Sequence, residues 1–493
     1  MKWIYHKEDY LLLIQELGSL LILVAGLMVI PLGTAYYYRE VSLYRPFIYG
    51  VILAGSIGLV CQLVPRNANF ERKHAIGLVV LAWPIISIPS ALPIFLSETA
   101  PTFLDAYFEA ISGWTTTGLT TIGGNADLFP QSINLWRHMM QYFGGLGIII
   151  MGIVVLVPLK DWEMSSELAV AAGKDYRIVP SLHNTLKIIT GIYLILLAIG
   201  SISYYFAGLS FFDAVCHTMA GLSTGGFSTR SASIGAYNSL PVTLVSLPIM
   251  ILGATNFVLL YHLLTGDLKE YIPDIETKTF WTILFLMIFS LIFWFGLRGG
   301  VEANLSDILF MITSALTTTG WNTVPAQVVF LQWAPLALLF IIVAMMIGAN
   351  SSSTGGGIKS YRVGLMIKNI FWITKDMIIP DSVKINKRYR HIKKKFAEDE
   401  ALQFMMTFVI LYFLVLFVSF LIFAIYDYPI LTSFYEVTSA IGTVGLSSGI
   451  TSVGLESPLK IILILNMWLG RIEILPLLYF IRYLSIKGKK IIR

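Results

Sequence analysis

Charged residues are scarce in this chain. Only 13% of its 493 residues are Asp, Glu, Lys or Arg, whereas 56% are hydrophobic. A soluble protein of this length needs a larger charged surface, so the composition excludes a soluble globular class. Apolar runs recur from end to end, and about 20 apolar residues suffice to cross a bilayer core roughly 30 Å thick. The sequence therefore predicts a polytopic membrane protein.

Cysteines and catalytic clusters are scarce as well. The two cysteines, Cys61 and Cys216, stand far apart in apolar surroundings, which indicates neither a disulfide framework nor a metal-binding knot. The seven histidines form no HExxH motif, and no paired carboxylates or nucleophile with a base occur in the apolar segments. No GxGxxG motif opens a nucleotide-binding domain. We therefore predict that the chain is not an enzyme and carries no organic cofactor.

Ten membrane-spanning segments are predicted from the apolar runs, and the basic residues predict their orientation. Lys and Arg concentrate near the segment ends that share one side with the N-terminus, which places both termini in the cytoplasm. The net charge of +5 mostly reflects this topology, so no nucleic-acid partner is expected. We predict a multi-pass protein of the cytoplasmic (inner) membrane. The predicted spans are 12–37, 46–65, 75–97, 134–158, 183–207, 240–264, 278–298, 332–372 with an interruption, 402–426 and 460–484.

Four segments on the predicted external side repeat one pattern. An aspartate precedes a glycine by 13 residues in three of them, and Thr432 takes that place in the fourth. A single copy would be an ordinary external linker with a helix-capping residue. Four copies in register, each between two spanning segments, indicate a shared role around one axis. The segments are "FLDAYFEAISGWTTTGL" (103–119), "FFDAVCHTMAGLSTGGF" (211–227), "LSDILFMITSALTTTGW" (305–321) and "LTSFYEVTSAIGTVGL" (431–446), aligned on Gly118, Gly226, Gly320 and Gly445.

Each repeat is predicted to form a short helix followed by an extended Thr/Ser/Gly run. About three helical turns cannot cross a bilayer, so the pattern predicts a re-entrant pore helix and loop. Glycine permits a positive φ, and a ring of backbone carbonyls replaces the hydration shell of a monovalent cation. The runs contain no aspartate, which disfavours a divalent-cation site and favours potassium-like ions. The candidate ion-binding residues are Thr116, Thr117, Gly118, Thr224, Gly225, Gly226, Thr318, Thr319, Gly320, Thr443, Val444 and Gly445.

These repeats resemble the Trk/Ktr/HKT superfamily of potassium transport proteins. The likeness rests on four non-identical helix–loop–helix units in one chain, each with one filter glycine. The apolar pair at 12–65, "GGLGIIIMGIVVL" (144–156) and "MWLGRIEILPLLYF" (467–480) are similar to the TrkH/TrkG branch in particular. Glycine at all four filter positions is the pattern that this family associates with potassium selectivity. Repeat four departs from the pattern, because Gly442 and Val444 replace threonines.

The resemblance implies an all-α membrane protein with four pseudo-symmetric helix–pore loop–helix units around a central pore, beside an N-terminal two-helix pair. It implies K+ as the transported ion and a homodimer in which each chain has its own pore. It also implies a separate cytosolic ring of TrkA-like nucleotide-binding subunits as regulator. The corresponding segments are 1–68 for the helix pair and 69–175, 176–270, 271–400 and 401–493 for repeats one to four.

Residues 347–360, "IGANSSSTGGGIKS", interrupt the apolar sequence of repeat three. Serines and three successive glycines are poor helix formers, whereas helical sequence continues on both sides. A cytoplasmic linker is the simpler alternative. The resemblance implies a gating loop at 347–359 that obstructs the pore. The candidate gate residues are Gly348, Asn350, Ser353, Gly355, Gly356, Gly357 and Arg471.

Two arginines fall within apolar segments. An unpaired cation costs at least ~2.5 kcal/mol at the centre of a membrane helix, so Arg471 is predicted to face the ion path or to hydrogen-bond the Gly/Ser break. An ion pair with Glu473 is the structural alternative. Arg137 lies near the external end of its segment, where a long side chain reaches the membrane surface by snorkelling. We predict that simpler role for Arg137.

The predicted function is potassium uptake through a channel-like pore, driven by the membrane potential and gated from the cytoplasm. The alternative is a potassium symporter coupled to sodium or protons, which needs acidic residues in the spanning helices, and few occur there. The basic segment at 373–401 is either an anchor on anionic membrane lipids or a docking surface for the cytosolic regulator. A non-conducting receptor leaves the four aligned glycines unexplained.

Overall fold

The computed structural model describes residues 7–65, 68–156, 182–298, 304–333, 335–380 and 386–485, and these are mostly helical. Six of the described helices are long and apolar enough to span a membrane, and two bent helix pairs raise that number to eight. The prediction of an all-α polytopic membrane protein is confirmed. The last residues of the predicted span 134–158 lie outside the described residues. So do both chain ends, which are predicted to face the cytoplasm.

Long helices form the frame of the protein. Many of their leucine, isoleucine and phenylalanine side chains point outward and are exposed, which is the surface that a bilayer covers. Within the described residues these helices are Lys7–Tyr37, Tyr44–Gln62, Arg72–Leu96, Gln131–Leu156, Leu182–Phe206, Ile275–Arg298 and Asp399–Ile425.

Four short helices of 12 residues follow the predicted repeat pattern. At 1.5 Å per residue each is about 18 Å long, too short to cross a bilayer. Thr102 and Ser210 cap the first two by accepting hydrogen bonds from the backbone N–H groups of Asp105 and Asp213, both at 3.1 Å. Each helix ends two residues before a residue with positive φ. They are Phe103–Trp114, Phe211–Leu222, Leu305–Leu316 and Ile430–Ile441, called short helices one to four below.

The other described elements are shorter helices and one β-hairpin. In the hairpin, β1 (Arg388–His391) pairs antiparallel with β2 (Lys393–Phe396), where the sequence predicts only a basic segment. The helices are Leu240–Ala254, Phe257–Leu264, Leu268–Tyr271, Ala326–Leu331, Pro335–Ile347, Ser360–Asp376, Ser457–Ile472 and Leu475–Ser485, with 3₁₀ helices at Val41–Leu43, Gly123–Leu128 and Ser233–Tyr237. The hairpin is thus a small exception in a helical protein.

Two predicted spans are broken, which corrects the predicted continuous helices. The span 240–264 consists of two helices bent by 117°, and the span 460–484 consists of two helices bent by 94°. At the first break, the side chain of Asn256 accepts a hydrogen bond from the backbone N–H two residues on, at 3.0 Å, and so starts a new helix. At the second break, Glu473 and Ile474 both have a positive φ, which ends the preceding helix. Local capping overrides the apolar pattern at both places.

Contacts between distant repeats join the frame together. Pro84 has no backbone N–H, so it leaves the carbonyl oxygen of Val80 without its usual partner within the helix. The indole Nε1 of Trp468 donates to this oxygen at 2.9 Å. Trp468 belongs to repeat four, whereas Val80 belongs to repeat one. The first and last repeats are therefore neighbours, as a closed arrangement of four units requires.

Candidate functional site

The four Thr/Gly runs meet in one ring. We call residues 116–118, 224–226, 318–320 and 443–445 the filter runs. A Cβ atom added to any of the four filter glycines would lie within 3.0 Å of a carbonyl oxygen of the next repeat. The facing pairs are Gly118 with the oxygen of Gly225, Gly226 with that of Thr319, Gly320 with that of Val444, and Gly445 with that of Thr117. Because the last pair returns to the first repeat, the ring is closed.

All four filter runs have the same backbone geometry. The first residue of each has a φ between +48° and +57°, and the glycine has a φ between +80° and +99°. The middle residue donates its N–H to the carbonyl oxygen five residues earlier, as from Thr117 to Ser112 at 2.9 Å and from Val444 to Ser439 at 2.9 Å. A side chain at the glycine is thus excluded twice, by the left-handed φ and by the neighbouring oxygen.

Threonine hydroxyls brace two of the filter runs. The hydroxyls of Thr115 and Thr117 are 2.8 Å apart, and those of Thr317 and Thr319 are 2.9 Å apart. Each pair ties the middle of a filter run to the end of its own short helix. Repeats two and four have no hydroxyl at the middle position, where they carry glycine and valine.

A glutamine that the sequence reasoning missed lies beside the filter run of repeat two. The side chain of Gln141 is buried, and its Nε2 donates to the carbonyl oxygen of Gly225. Its Oε1 accepts from the backbone N–H of Phe227 at 3.1 Å. The only signal in the sequence is a polar residue within the apolar helix Gln131–Leu156.

Arg137 does not snorkel, and the prediction of that role is wrong. Its side chain is 1% exposed and donates through Nε to Oε1 of Glu109 at 2.6 Å. It also donates to the carbonyl oxygen of Ser228 at 3.2 Å, and its guanidinium lies 4.2 Å from the ring centre of Phe227. The prediction considered only the depth of Arg137 in its segment, whereas the carboxylate of Glu109 on short helix one is its partner. A buried charge is tolerated when it is paired. The pair therefore supports the chain after the filter run of repeat two.

The equivalent positions on short helices two and four also hold the chain that follows a filter run, whereas short helix three has Met311 there. Glu436 accepts hydrogen bonds from the hydroxyls of Ser447 and Ser448 at 2.8 Å and from the backbone N–H of Ser448 at 2.7 Å. His217 lies 3.0 Å through Nε2 from the hydroxyl of Ser228. Because these side chains are buried and make such contacts, they fix the chain that leaves the ring.

The Gly-rich segment between Pro335–Ile347 and Ser360–Asp376 lies against the filter runs. We call residues 348–359 the Gly-rich loop. Gly356 donates its N–H to the hydroxyl of Thr318 at 2.9 Å, and the Thr354 hydroxyl lies 3.2 Å from that of Thr224. A Cβ on Gly356 would lie within 3.0 Å of the Thr443 hydroxyl. The loop therefore contacts the first residue of three filter runs.

Arg471 holds this loop from the side. Its Nη1 donates to the carbonyl oxygen of Thr354 at 2.6 Å, and its Nη2 donates to that of Gly144 at 3.1 Å. The alternative pairing of Arg471 with Glu473 is wrong, because Glu473 forms its ion pair with Arg362. The positive charge of Arg471 thus lies next to the loop, buried within the protein.

The loop has a compact backbone of its own. Gly348 and Gly357 have φ values of +73° and +79° and lie so close that a Cβ on either would strike the other. Ser353 donates its hydroxyl to the carbonyl oxygen of Asn350. Lys359, which the sequence reasoning left aside, donates its Nζ to the carbonyl oxygen of Gly355. All of the predicted gate residues are therefore in the loop or touch it.

A buried polar cluster connects the loop to the β-hairpin. Glu276 accepts a hydrogen bond from the backbone N–H of Ser351 in the loop. Two residues earlier, Asp274 accepts from the backbone N–H of Ile392 at 2.7 Å and lies 3.1 Å from Nδ1 of His391. Burial lowers the pKa of the His391 imidazole, but the hydrogen bond and charge of Asp274 outweigh burial and raise the pKa above its usual value.

This cluster is also where the described residues come closest to a metal-binding set. The ligand atoms of Asp274, Glu276 and His391 lie within 4.8 Å of one another, and all three residues are buried. The carboxylates already accept hydrogen bonds from backbone N–H groups and from the Asn256 side chain at 3.1 Å. The same contacts are those of a structural ion pair, so we assign the cluster that role.

Comparisons with known proteins extend over nearly the whole chain. The family model "TrkH: Cation transport protein" matches residues 47–487. An uncharacterized cation transporter of Methanocaldococcus jannaschii is 30% identical over 99% of this chain and 98% of its own. The Trk system potassium uptake protein TrkH of Escherichia coli is 31% identical over 94% of this chain and 96% of its own. The crystal structure of the potassium transporter TrkH from Vibrio parahaemolyticus matches with a TM-score of 0.82 and 26% identity, covering 95% of this chain and 98% of that chain.

Proposed function

This chain belongs to the TrkH family of cation transport proteins, and we propose that it takes up potassium across the cytoplasmic membrane through the ring of filter runs. The resemblance drawn from the sequence motifs, including the TrkH/TrkG branch, is confirmed by this membership. The chain is therefore a transporter and not an enzyme. Potassium as the transported ion is supported by the E. coli relative, which is named a potassium uptake protein.

The closed ring of four filter runs is the observation that carries the proposal. Four backbone segments with the same pattern of positive φ values form a closed ring and supply neutral oxygens. Neutral carbonyl oxygens suit a monovalent cation that has lost its water, whereas a divalent cation favours carboxylates. The ring therefore supports selective passage of a potassium-like ion.

A channel-like pore is favoured over a symporter. The membrane potential supplies ~2.3 kcal/mol per charge per 100 mV, which drives accumulation without a coupling ion. Of the three buried acids on short helices one and four, Asp105 is paired with Lys460. The other two are Glu109 and Glu436, and protein contacts already engage both. A coupled transporter needs an acid that is free to exchange its partner during the cycle. These two acids support the loops instead.

The Gly-rich loop is the gate in this proposal. In the state described here it lies against three filter runs, and Arg471 holds it through the carbonyl oxygen of Thr354. A guanidinium next to the ion path also repels cations, which discourages occupancy while the loop is in place. Opening requires that the loop leave the axis, so the contacts of Arg471 must break or move.

The regulator in this proposal is a cytosolic ring of TrkA-like nucleotide-binding subunits. The relative's name refers to a Trk system, which supports a second component. The basic segment with its β-hairpin then faces the cytoplasm, as do both termini, and meets either the regulator or anionic membrane lipids. The cluster from His391 to Ser351 supports this role, because it joins the hairpin to the loop. We further propose that the protein works as a homodimer with one pore per chain.

Uptake of radioactive rubidium into liposomes that contain the purified chain tests the function. We expect uptake that potassium suppresses at lower concentration than sodium does. Gly320→Ala is expected to abolish uptake, because the methyl group meets the Val444 oxygen at a φ of +82°. Gly266→Ala is the matched control, because Gly266 has a φ of +81° with open space around it. Rubidium uptake at the parental rate in Gly320→Ala would show that ions do not pass through the ring.

A further inference from the structure

Repeat two differs from the other repeats at the residue before its filter glycine. The other repeats carry a side chain there, namely Thr117, Thr319 and Val444, whereas repeat two has Gly225. Gly225 does not have a positive φ, so its backbone accepts any residue. The absence of a side chain must therefore have a cause in the surrounding space.

Gln141 occupies the space beside Gly225. A Cβ added to Gly225 would lie within 3.0 Å of the carbon, the oxygen and the nitrogen of the Gln141 amide. The same amide donates to the carbonyl oxygen of Gly225 and accepts from the N–H of Phe227 at 3.1 Å. These two contacts bracket Gly226, the filter glycine between them. The glutamine of repeat one thus fits into the backbone of repeat two where a side chain is missing.

We propose that Gln141 is a positioning residue for ion selectivity, which rests on the proposed function. In repeats one and three, hydroxyl pairs such as Thr115 with Thr117 tie the filter run to its own short helix. In repeat two, the Gln141 amide takes over that task from a neighbouring repeat. Since the oxygen of Gly225 faces Gly118 in the adjacent filter run, Gln141 also sets the spacing between the first two filter runs.

A compensating pair of substitutions tests this assignment. Gly225→Thr alone is expected to reduce rubidium uptake by at least about tenfold, because the threonine collides with a buried amide. Gln141→Ala together with Gly225→Thr is expected to restore most of the uptake. The double variant opens the space and brings the new hydroxyl near Ser223, as Thr117 is near Thr115. A double variant no better than Gly225→Thr would overturn the proposal.

Gln141→Leu separates positioning from packing. Leucine keeps a similar volume but removes both hydrogen bonds, so we expect the preference for rubidium over sodium to fall about fivefold, equivalent to about 1 kcal/mol. The elution profile and melting temperature of the purified variant establish that it folds. Gln141→Glu retains the acceptor for Phe227 but replaces the donor to Gly225, and we expect it to lose selectivity as well. Parental selectivity in Gln141→Leu would overturn the proposal.

The melting temperature distinguishes this proposal from the proposed function. The pairing predicts that Gly225→Thr lowers the melting temperature and that adding Gln141→Ala recovers most of it, a non-additive pattern typical of residues in contact. This measurement needs no transport. If the parental protein takes up no rubidium, the proposed function fails and selectivity through Gln141 fails with it, whereas the melting temperatures still decide whether the two residues are partners.

Discussion

The filter runs and the Gly-rich loop use the same residue types but are held in different ways. Each filter run is fixed by a backbone hydrogen bond to its own short helix, repeated at the same place in all four units. The loop occurs once, and the atoms that hold it belong to distant parts of the chain. Arg471 donates to the carbonyl oxygen of Thr354. Glu276 accepts from the N–H of Ser351, and the Thr318 hydroxyl accepts from the N–H of Gly356.

This difference separates a fixed element from a movable one. Backbone bonds within a repeat persist as long as the repeat is folded, so the ring keeps one geometry. The contacts that hold the loop are side-chain hydrogen bonds and three backbone hydrogen bonds to residues 253–257, and all of them join separate segments. Such contacts break individually, so the loop has a second position within reach. The ring is therefore suited to selection among ions and the loop to gating. The following predictions test whether the ring is fixed and the loop movable. They begin with the residues that support the ring and continue with those that hold the loop.

The largest effect is expected from breaking the ion pair behind the ring. Arg137→Met leaves the carboxylate of Glu109 buried without its cation, and loss of one partner of a buried pair typically costs about 3–5 kcal/mol. We expect a large fall in the melting temperature of the purified protein. Arg230→Met is the control, because the Arg230 side chain is 41% exposed and exposed pairs contribute about 0–1 kcal/mol. Equal melting temperatures for the two variants would contradict a rigid support built on Arg137.

A smaller change in stability and a large change in transport are expected from Arg471→Ala. The substitution removes the donors to Thr354 and Gly144, so the loop is released from one side while the backbone of the ring is untouched. We expect faster rubidium uptake into liposomes in the absence of any regulator, with the parental preference for potassium over sodium.

Arg482→Ala is the matched control for Arg471→Ala, because Arg482 is an exposed arginine of the following helix. Unaltered rubidium uptake in Arg471→Ala would return Arg471 to a structural role. Loss of ion preference without faster uptake would show instead that Arg471 supports the ring, and the division between a fixed ring and a movable loop would fail.

The sequence predicts the ring better than its supports because the ring is repeated. Four short apolar helices ending in Thr/Gly runs are a local pattern, and the glycines align at one spacing. Membership of the family also follows from these runs. The geometry adds what no local pattern contains, namely that the carbonyl oxygen of Gly225 faces Gly118 and that the series closes from Gly445 to Thr117.

The supports were missed because each joins residues far apart in the sequence. Gln141 meets Gly225, and Asp274 meets His391, across 84 and 117 positions respectively. The wrong prediction for Arg137 has the same origin. The sequence indicates how deep Arg137 lies in its membrane segment, but it does not reveal that Glu109 on short helix one is its partner. The broken span at 240–264 also needed its capping contacts to be known. Distant pairing, rather than helix formation, limited the prediction.

The smallest effect on uptake, and the most local one, is expected from His391→Phe. Phenylalanine keeps a ring beside Tyr361 but loses the contact with Asp274, so β1 and β2 are held less firmly, mainly by the hydrogen bond from the N–H of Ile392 to Asp274. Trypsin is expected to cut the hairpin faster, because a hairpin that is held less firmly opens more often to the protease, while rubidium uptake by the isolated protein stays within about twofold of parental.

His262→Phe is the control for His391→Phe, because its pairing with Asp267 is partly exposed. In cells that supply the cytosolic regulator, His391→Phe is expected to uncouple uptake from that regulator, whereas His262→Phe is not. This outcome follows if the signal from the hairpin reaches the loop through the cluster that ends at Ser351, rather than through the hydrogen bond between the hydroxyls of Tyr389 and Tyr361. Faster cleavage with regulation intact would mean that the signal reaches the loop elsewhere. Release of the loop would then depend on other contacts, such as those of Arg471, and not on the hydrogen bond from Ser351 to Glu276.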